Sequence, residues 1–151
     1  MDRSERAVFT NMCMIYDNNG KVLVQDRKDP EWGGITFPGG HVEKEESFTD
    51  AVIREVYEET GLTVFHPQLC GIKQFMQSDG SRYVVLFYKT NKYMGDIVSS
   101  EEGDIYWTRL EELKDKKLAD GMDRMLQVFL EEDISELYWY KADGIWKNEL
   151  K

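Results

Sequence analysis

The sequence predicts an α/β fold in which a mixed β-sheet lies between helices. Short β-rich runs punctuated by Gly, Pro, Asn and Asp fill the first third and the middle of the chain. A helical pattern interrupts them at 48–60, and a second follows them at 122–131. Strands, helix, strands, helix is the order of a layered α/β unit, because each apolar sheet face needs a helix to cover it.

Ala7 to Tyr16 is the first β-rich run. Asn18-Asn19-Gly20 supplies turn chemistry and Lys21 to Gln25 resumes the apolar pattern, which predicts a hairpin. Asp29-Pro30-Glu31-Trp32-Gly33-Gly34 reads as a loop, and Ile35-Thr36-Phe37 as a short strand stopped by Pro38-Gly39-Gly40. Ser47 is a good helix N-cap, with Asp50 three residues later. Phe48, Ala51, Val52 and Val56 form the helix's apolar stripe, and Gly61 stands where a left-handed C-cap belongs.

Two further strands, Val64 to Phe75 and Arg82 to Thr90, flank the turn at Ser78-Asp79-Gly80. Ile105 to Thr108 is another strand, and Leu110 to Leu113 one helical turn. Met122, Met125, Leu126, Phe129 and Leu130 repeat at helical spacing. In the tail, 133–151, Leu137 to Tyr140 and Asp143 to Trp146 read as a closing hairpin. No repeat or linker divides the chain, so 1–151 reads as a single domain.

With 29 acidic and 19 basic residues the formal charge is -10. That balance repels nucleic acid and anionic membranes, whose binding depends on Lys and Arg. A small polyanion is compatible if a bound cation reverses the local potential. Cys13 and Cys70 lie in apolar strand-like runs and read as buried free thiols. No run approaches the ~20 apolar residues of a membrane span. The opening MDRSERAVFT lacks the apolar core of a signal peptide, so a cytoplasmic protein is expected.

Glu55, Glu58 and Glu59 stand at i, i+3 and i+4 of the first helix, on one face. Three such carboxylates repel one another, and a hard divalent cation with oxygen ligands is the remedy. Arg54 and the upstream glycines argue against a merely solvated acidic face. Residues 40–62, GHVEKEESFTDAVIREVYEETGL, have the spacing G-x5-E-x7-R-E-V-x-E-E-x-G-L. Every fixed position of the Nudix box is filled, so the chain resembles a Nudix hydrolase.

The resemblance implies an α/β/α sandwich of the Nudix type. It also implies hydrolysis of a diphosphate linked to another group, with Mg²⁺, for which Mn²⁺ can substitute. It makes Glu55, Glu58, Glu59 and the Gly39 carbonyl the metal ligands, and Arg54 the side chain that holds the glutamates. Glu46 is expected to anchor the loop or Arg54. The general base is expected to be Glu58, with Glu102 of the loop 99–104 as the alternative.

Lys21 to Arg27 and Phe37 to Gly40 resemble the MutT-type branch, which cleaves nucleoside triphosphates including 8-oxo-dGTP. On that likeness Arg27 lies near the phosphates, Thr36 and Asp120 fall near base-contacting positions, and Asn11 and Trp32 are candidates for a base pocket. His41 and His66 read as loop and strand-end residues. The expected partner is a small nucleotide, bound by a monomer or homodimer. The leading expectation is an 8-oxo-dGTP-like triphosphate cleaved to monophosphate and pyrophosphate. Another nucleoside-diphosphate compound, such as ADP-ribose or a sugar nucleotide, is the alternative. A catalytically dead nucleotide sensor comes third, since such modules usually lose a metal glutamate and all three remain.

Overall fold

A computed structural model describes residues 1–151. β1 (Ala7–Ile15), β2 (Lys21–Arg27) and β3 (Gly34–Thr36) precede α1 (Phe48–Thr60). β4 (Thr63–Val64), β5 (Gln68–Met76), β6 (Arg82–Thr90), β7 (Tyr93–Met94) and β8 (Gly103–Arg109) follow. A 3₁₀ turn (Leu110–Asp115), α2 (Met122–Leu130), β9 (Glu136–Ala142) and β10 (Ile145–Leu150) complete the chain. The larger sheet runs β1-β6-β5-β9-β10 and the smaller β3-β2-β8, with β4 and β7 forming a separate pair. β1 is parallel to β6 and β5 to β9, while β5 is antiparallel to β6, so the larger sheet is mixed.

Alternation along the strands builds two cores. Successive strand side chains point to opposite faces. Met12 and Met14 of β1, Val22 and Val24 of β2 and Phe87 of β6 pack with Met125 and Phe129 of α2. Cys13, Ile15, Leu23, Leu86 and Tyr88 pack with Val52 and Val56 of α1. Both faces of these central strands are covered, which is why their sequences read as continuous apolar runs. No helix is long and apolar enough to cross a membrane.

The hairpin expected from β1 and β2 does not form. The turn is there: the Asp17 carboxylate accepts from the Asn19 and Lys21 amides, and Gly20 has φ 81°. The two strands share only the bridge Tyr16–Val22. One edge of β1 is taken by β6 from Ala7 to Ile15. Its other edge is occupied by the 38–42 loop, through Asn11 N–H to the Gly40 carbonyl and Cys13 N–H to the Pro38 carbonyl, both at 2.8 Å. β2 has no β1 edge left and pairs with β3 and β8 instead.

Other boundaries also move. The run from Val64 breaks at His66, φ 49°, just before Pro67, so β4 and β5 are separate. Phe48 is 41% exposed and packs on Phe9 at the surface rather than in the stripe of α1. Leu130 is likewise exposed, and Val128 takes its place in the buried face of α2. Cys13 and Cys70 are free, the first buried and the second half-buried. In the tail, Asp143 and Gly144 both take positive φ, the requirement of a tight type I′ turn, and β9 then joins β5.

Candidate active site

α1 starts where the Ser47 hydroxyl accepts from the Asp50 amide at 3.0 Å, and ends at Gly61, φ 82°. Between these caps Arg54 organises the acidic face. Its Nε and Nη2 donate to Glu46 at 2.7 and 2.9 Å, and its Nη1 to Glu55 at 2.9 Å and Glu58 at 3.2 Å. Nη2 also donates to the His41 carbonyl at 2.9 Å. A planar guanidinium supplies several donors in a fixed fork, so one side chain can hold three carboxylates and a loop. The Arg54 hydrogen bonds pull the Glu46 carboxyl down to about 2.

Two glycines bring the loop in. A Cβ at Gly39 would overlap the backbone of Asn11, and one at Gly40 would overlap the Glu55 carboxylate. The Gly40 amide donates to Asn11 Oδ1 at 3.0 Å, while Asn11 Nδ2 is buried without a partner. Glu59 is only 5% exposed. Its Oε2 accepts from the Gly39 amide at 3.1 Å and from Gln25 Nε2 at 3.3 Å. Burial pushes the Glu59 carboxyl well above the usual range, and the neighbouring Glu102 and Glu55 add to the shift.

These groups open onto a cavity of about 520 Å³. Asn11, Arg27, Gly39, Glu55, Glu59 and Glu102, all singled out by sequence, line it together with Trp32 and His41. Arg27 lies 4.0 Å from Glu102 and 5.3 Å over the Trp32 ring.

The structure leaves four sequence candidates out of this lining: Arg54, which stands behind the carboxylates it holds, Glu58, Thr36 and Asp120. Glu58 is 56% exposed along its side chain and turned to Arg54, its i+4 partner. Thr36 is 1% exposed, with its hydroxyl directed at the sulfurs of Met12 and Met122, so it lies behind the cavity wall. Asp120 is exposed, and its backbone carbonyl accepts from Trp32 Nε1 at 2.9 Å.

Sequence reading missed the other wall. Lys73 and Phe75 of β5 face Val85 and Tyr83 of β6 in register, and all four line the cavity. Phe75 and Tyr83 stack at 5.1 Å. The available signal was Lys73 as the one charged residue of its strand, between Ile72 and Phe75. Burial lowers the Lys73 pKa, opposed by the Asp120 charge.

Glu59 tests whether a cation belongs here. A buried carboxylate flanked by two others, with only an amide and a Gln donating to it, is stabilised by a positive charge. The side-chain donors are all oxygen, as a hard divalent ion prefers. The residues fit such an ion, although no three carboxylates converge on a common point while Glu58 is turned to Arg54.

This is a mixed α/β fold whose acidic helix and glycine loop frame one cavity. Residues 7–129 match the NUDIX domain family, and the chain belongs to it. YvcI, a Nudix hydrolase of Bacillus subtilis (strain 168), is 32% identical over 123 residues, covering 78% of this chain and 76% of its own. The ADP-ribose pyrophosphatase of Methanocaldococcus jannaschii is 36% identical over 72 residues, 47% of this chain and 43% of its own. The MutT protein of Bacillus halodurans superposes with a TM-score of 0.77 at 28% identity, covering 95% of this chain and 97% of its own. The protein is thus a Nudix hydrolase, of a family that acts on nucleoside diphosphate-linked compounds and uses divalent metals.

Proposed function

We propose that this cavity hydrolyses a nucleoside triphosphate to the monophosphate and pyrophosphate with Mg²⁺. One observation carries the reading: a single cavity joins the Glu55–Glu59–Glu102 carboxylates and Arg27 to an aromatic wall of Phe75 and Tyr83. The acidic end suits cation-bound phosphates, and the wall suits a base, since aromatic faces stack on flat rings. The volume, about 520 Å³, falls within the range of small-ligand pockets.

Glu55, Glu59 and the Gly39 carbonyl would hold the ion, with Glu58 on the same helical face. When bound, Mg²⁺ neutralises phosphate charge and makes water more acidic. Arg54 keeps Glu55 in place, and Arg27 offers a cation to the phosphates from the Trp32 side. Of the two candidate bases, Glu102 lines the cavity and Glu58 does not, which favours Glu102 as proton acceptor. Water adds to one phosphorus of the α–β bridge, the bridging P–O bond breaks, and the water proton passes to the Glu102 carboxylate. Catalysis is then mainly positioning and charge stabilisation.

A second reading has one observation in its favour, the 72-residue likeness to an ADP-ribose pyrophosphatase. Nucleoside triphosphates (8-oxo-dGTP included), ADP-ribose and sugar nucleotides assayed with Mg²⁺ and product analysis separate the two. Monophosphate plus pyrophosphate from a triphosphate is expected. ADP-ribose or a sugar nucleotide exceeding every triphosphate in kcat/KM by about tenfold would replace the first reading with the second.

A further inference from the structure

The phosphate chemistry leaves one cation of the cavity unused. Lys73 lies on β5, two strands from β1, whose edge carries the Gly39–Gly40 loop. Two strand spacings separate Lys73 from that edge by ~10 Å, about the reach from a nucleotide's phosphates to its base. Its ammonium stands 5.6 Å over the Phe75 ring and 5.5 Å over the Trp139 ring. Its side chain makes no hydrogen bond, and the nearby Asp120 is too far for an ion pair. The half-buried ammonium thus faces the cavity with no protein acceptor, and a ligand acceptor there would complete its hydrogen bonding.

We infer that Lys73 sets the nucleobase preference, donating to the 6-oxo oxygen of a purine laid against the Phe75–Tyr83 wall. The inference rests on the nucleotide reading of the cavity, not on which diphosphate bond is cut. An ammonium has three donors and no acceptor. Guanine turns two acceptors, O6 and N7, to one edge, where adenine presents an amino donor beside N7. Adenine at Lys73 would set donor against donor and leave the half-buried ammonium without a ligand acceptor. Sites built around a buried hydrogen bond reject such mismatches strongly. A phosphate is the poorer occupant, because Phe75, Tyr83, Val85 and Met125 would desolvate its charge.

Calorimetric titration with GMP, IMP and AMP, without metal, tests this apart from the reaction. IMP keeps the 6-oxo group and lacks the 2-amino group, so it isolates O6 from the rest of guanine. The wild-type protein is expected to bind GMP and IMP at least about tenfold more tightly than AMP. Lys73→Met should reduce that ratio to near unity by weakening GMP and IMP, and Lys73→Arg should retain it. Melting curves establish that the variants fold, and if Lys73→Met does not, Lys73→Gln, whose amide accepts from adenine as well as donating to guanine, should bring the ratio near unity in its place. AMP binding as tightly as IMP, or a ratio that Lys73→Met leaves unchanged, overturns the inference. A panel in which ADP-ribose outperforms every triphosphate overturns only the choice of reaction, because the monophosphate ratio is read independently.

Discussion

Arg54 grips Glu46 through two nitrogens, at 2.7 and 2.9 Å, and so ties the loop before α1 to the middle of that helix. Glu46 titrates near 2 in the folded protein against an ordinary 4.5. A depressed carboxyl pKa contributes stability that is fully present above the unfolded value and is lost as pH falls through the folded one. Glu46→Gln should therefore lower the melting temperature at neutral pH, and its deficit should shrink as pH falls from about 4.5 to about 2. Melting curves across that window check this; a deficit constant with pH would mean that Glu46 acts by packing alone.

Gly40 cannot carry a side chain without meeting the Glu55 carboxylate. Gly40→Ala should cost activity through displacement of Glu55, with a folded sheet retained. Circular dichroism and turnover at saturating Mg²⁺ measure both. Wild-type turnover in this variant would show that Glu55 need not stay where Arg54 holds it.

Mg²⁺ should raise the melting temperature, since a ligand selective for the native state adds ~2.7 kcal/mol at a hundredfold excess over Kd. Glu55→Gln should remove most of that rise. An equal rise in both proteins would point to general charge screening and count against a ligand role for Glu55.

Glu102→Gln and Glu58→Gln should fail differently. Losing the proton acceptor should lower kcat by about 10²–10⁴-fold with the Mg²⁺ requirement unchanged. Losing an ion ligand should raise the Mg²⁺ concentration needed for half-maximal rate. If Glu58→Gln gives the first pattern and Glu102→Gln the second, the two roles exchange.

Arg27→Ala should reduce kcat/KM for triphosphates by about tenfold more than for ADP-ribose, because the former present more phosphate charge. Equal losses would place Arg27 on a part common to both substrates, or make it a prop for Trp32, whose carbonyl it bonds at 3.3 Å.

The acidic helix and its glycine loop were legible because they are local: capping, spacing and the carboxylate face all lie within 40–62. Partner choice was not. The β1–β2 turn is real, but the edge of β1 is claimed by β6, some 70 residues away in the chain, and by the box loop. Likewise Lys73 and Phe75 become a wall only when β5 meets β6 and the cavity closes beside β1. Thr36 neighbours the loop in sequence, yet Met12 and Met122 enclose its hydroxyl. Periodicity reports which residues are covered; it does not report what covers them.

The match to the family ends at 129, and the support for the Lys73 wall begins after it. Trp139 lies beneath the Lys73 ammonium and Trp146 meets the Phe75 ring edge-on at 6.1 Å, both from the terminal hairpin. The helix that carries the glutamates, 48–60, and the hairpin that backs this wall, 136–150, are thus far apart in the chain. A change in that hairpin can therefore shift what stands behind Lys73 and Phe75 without touching Arg54 or the carboxylates it holds.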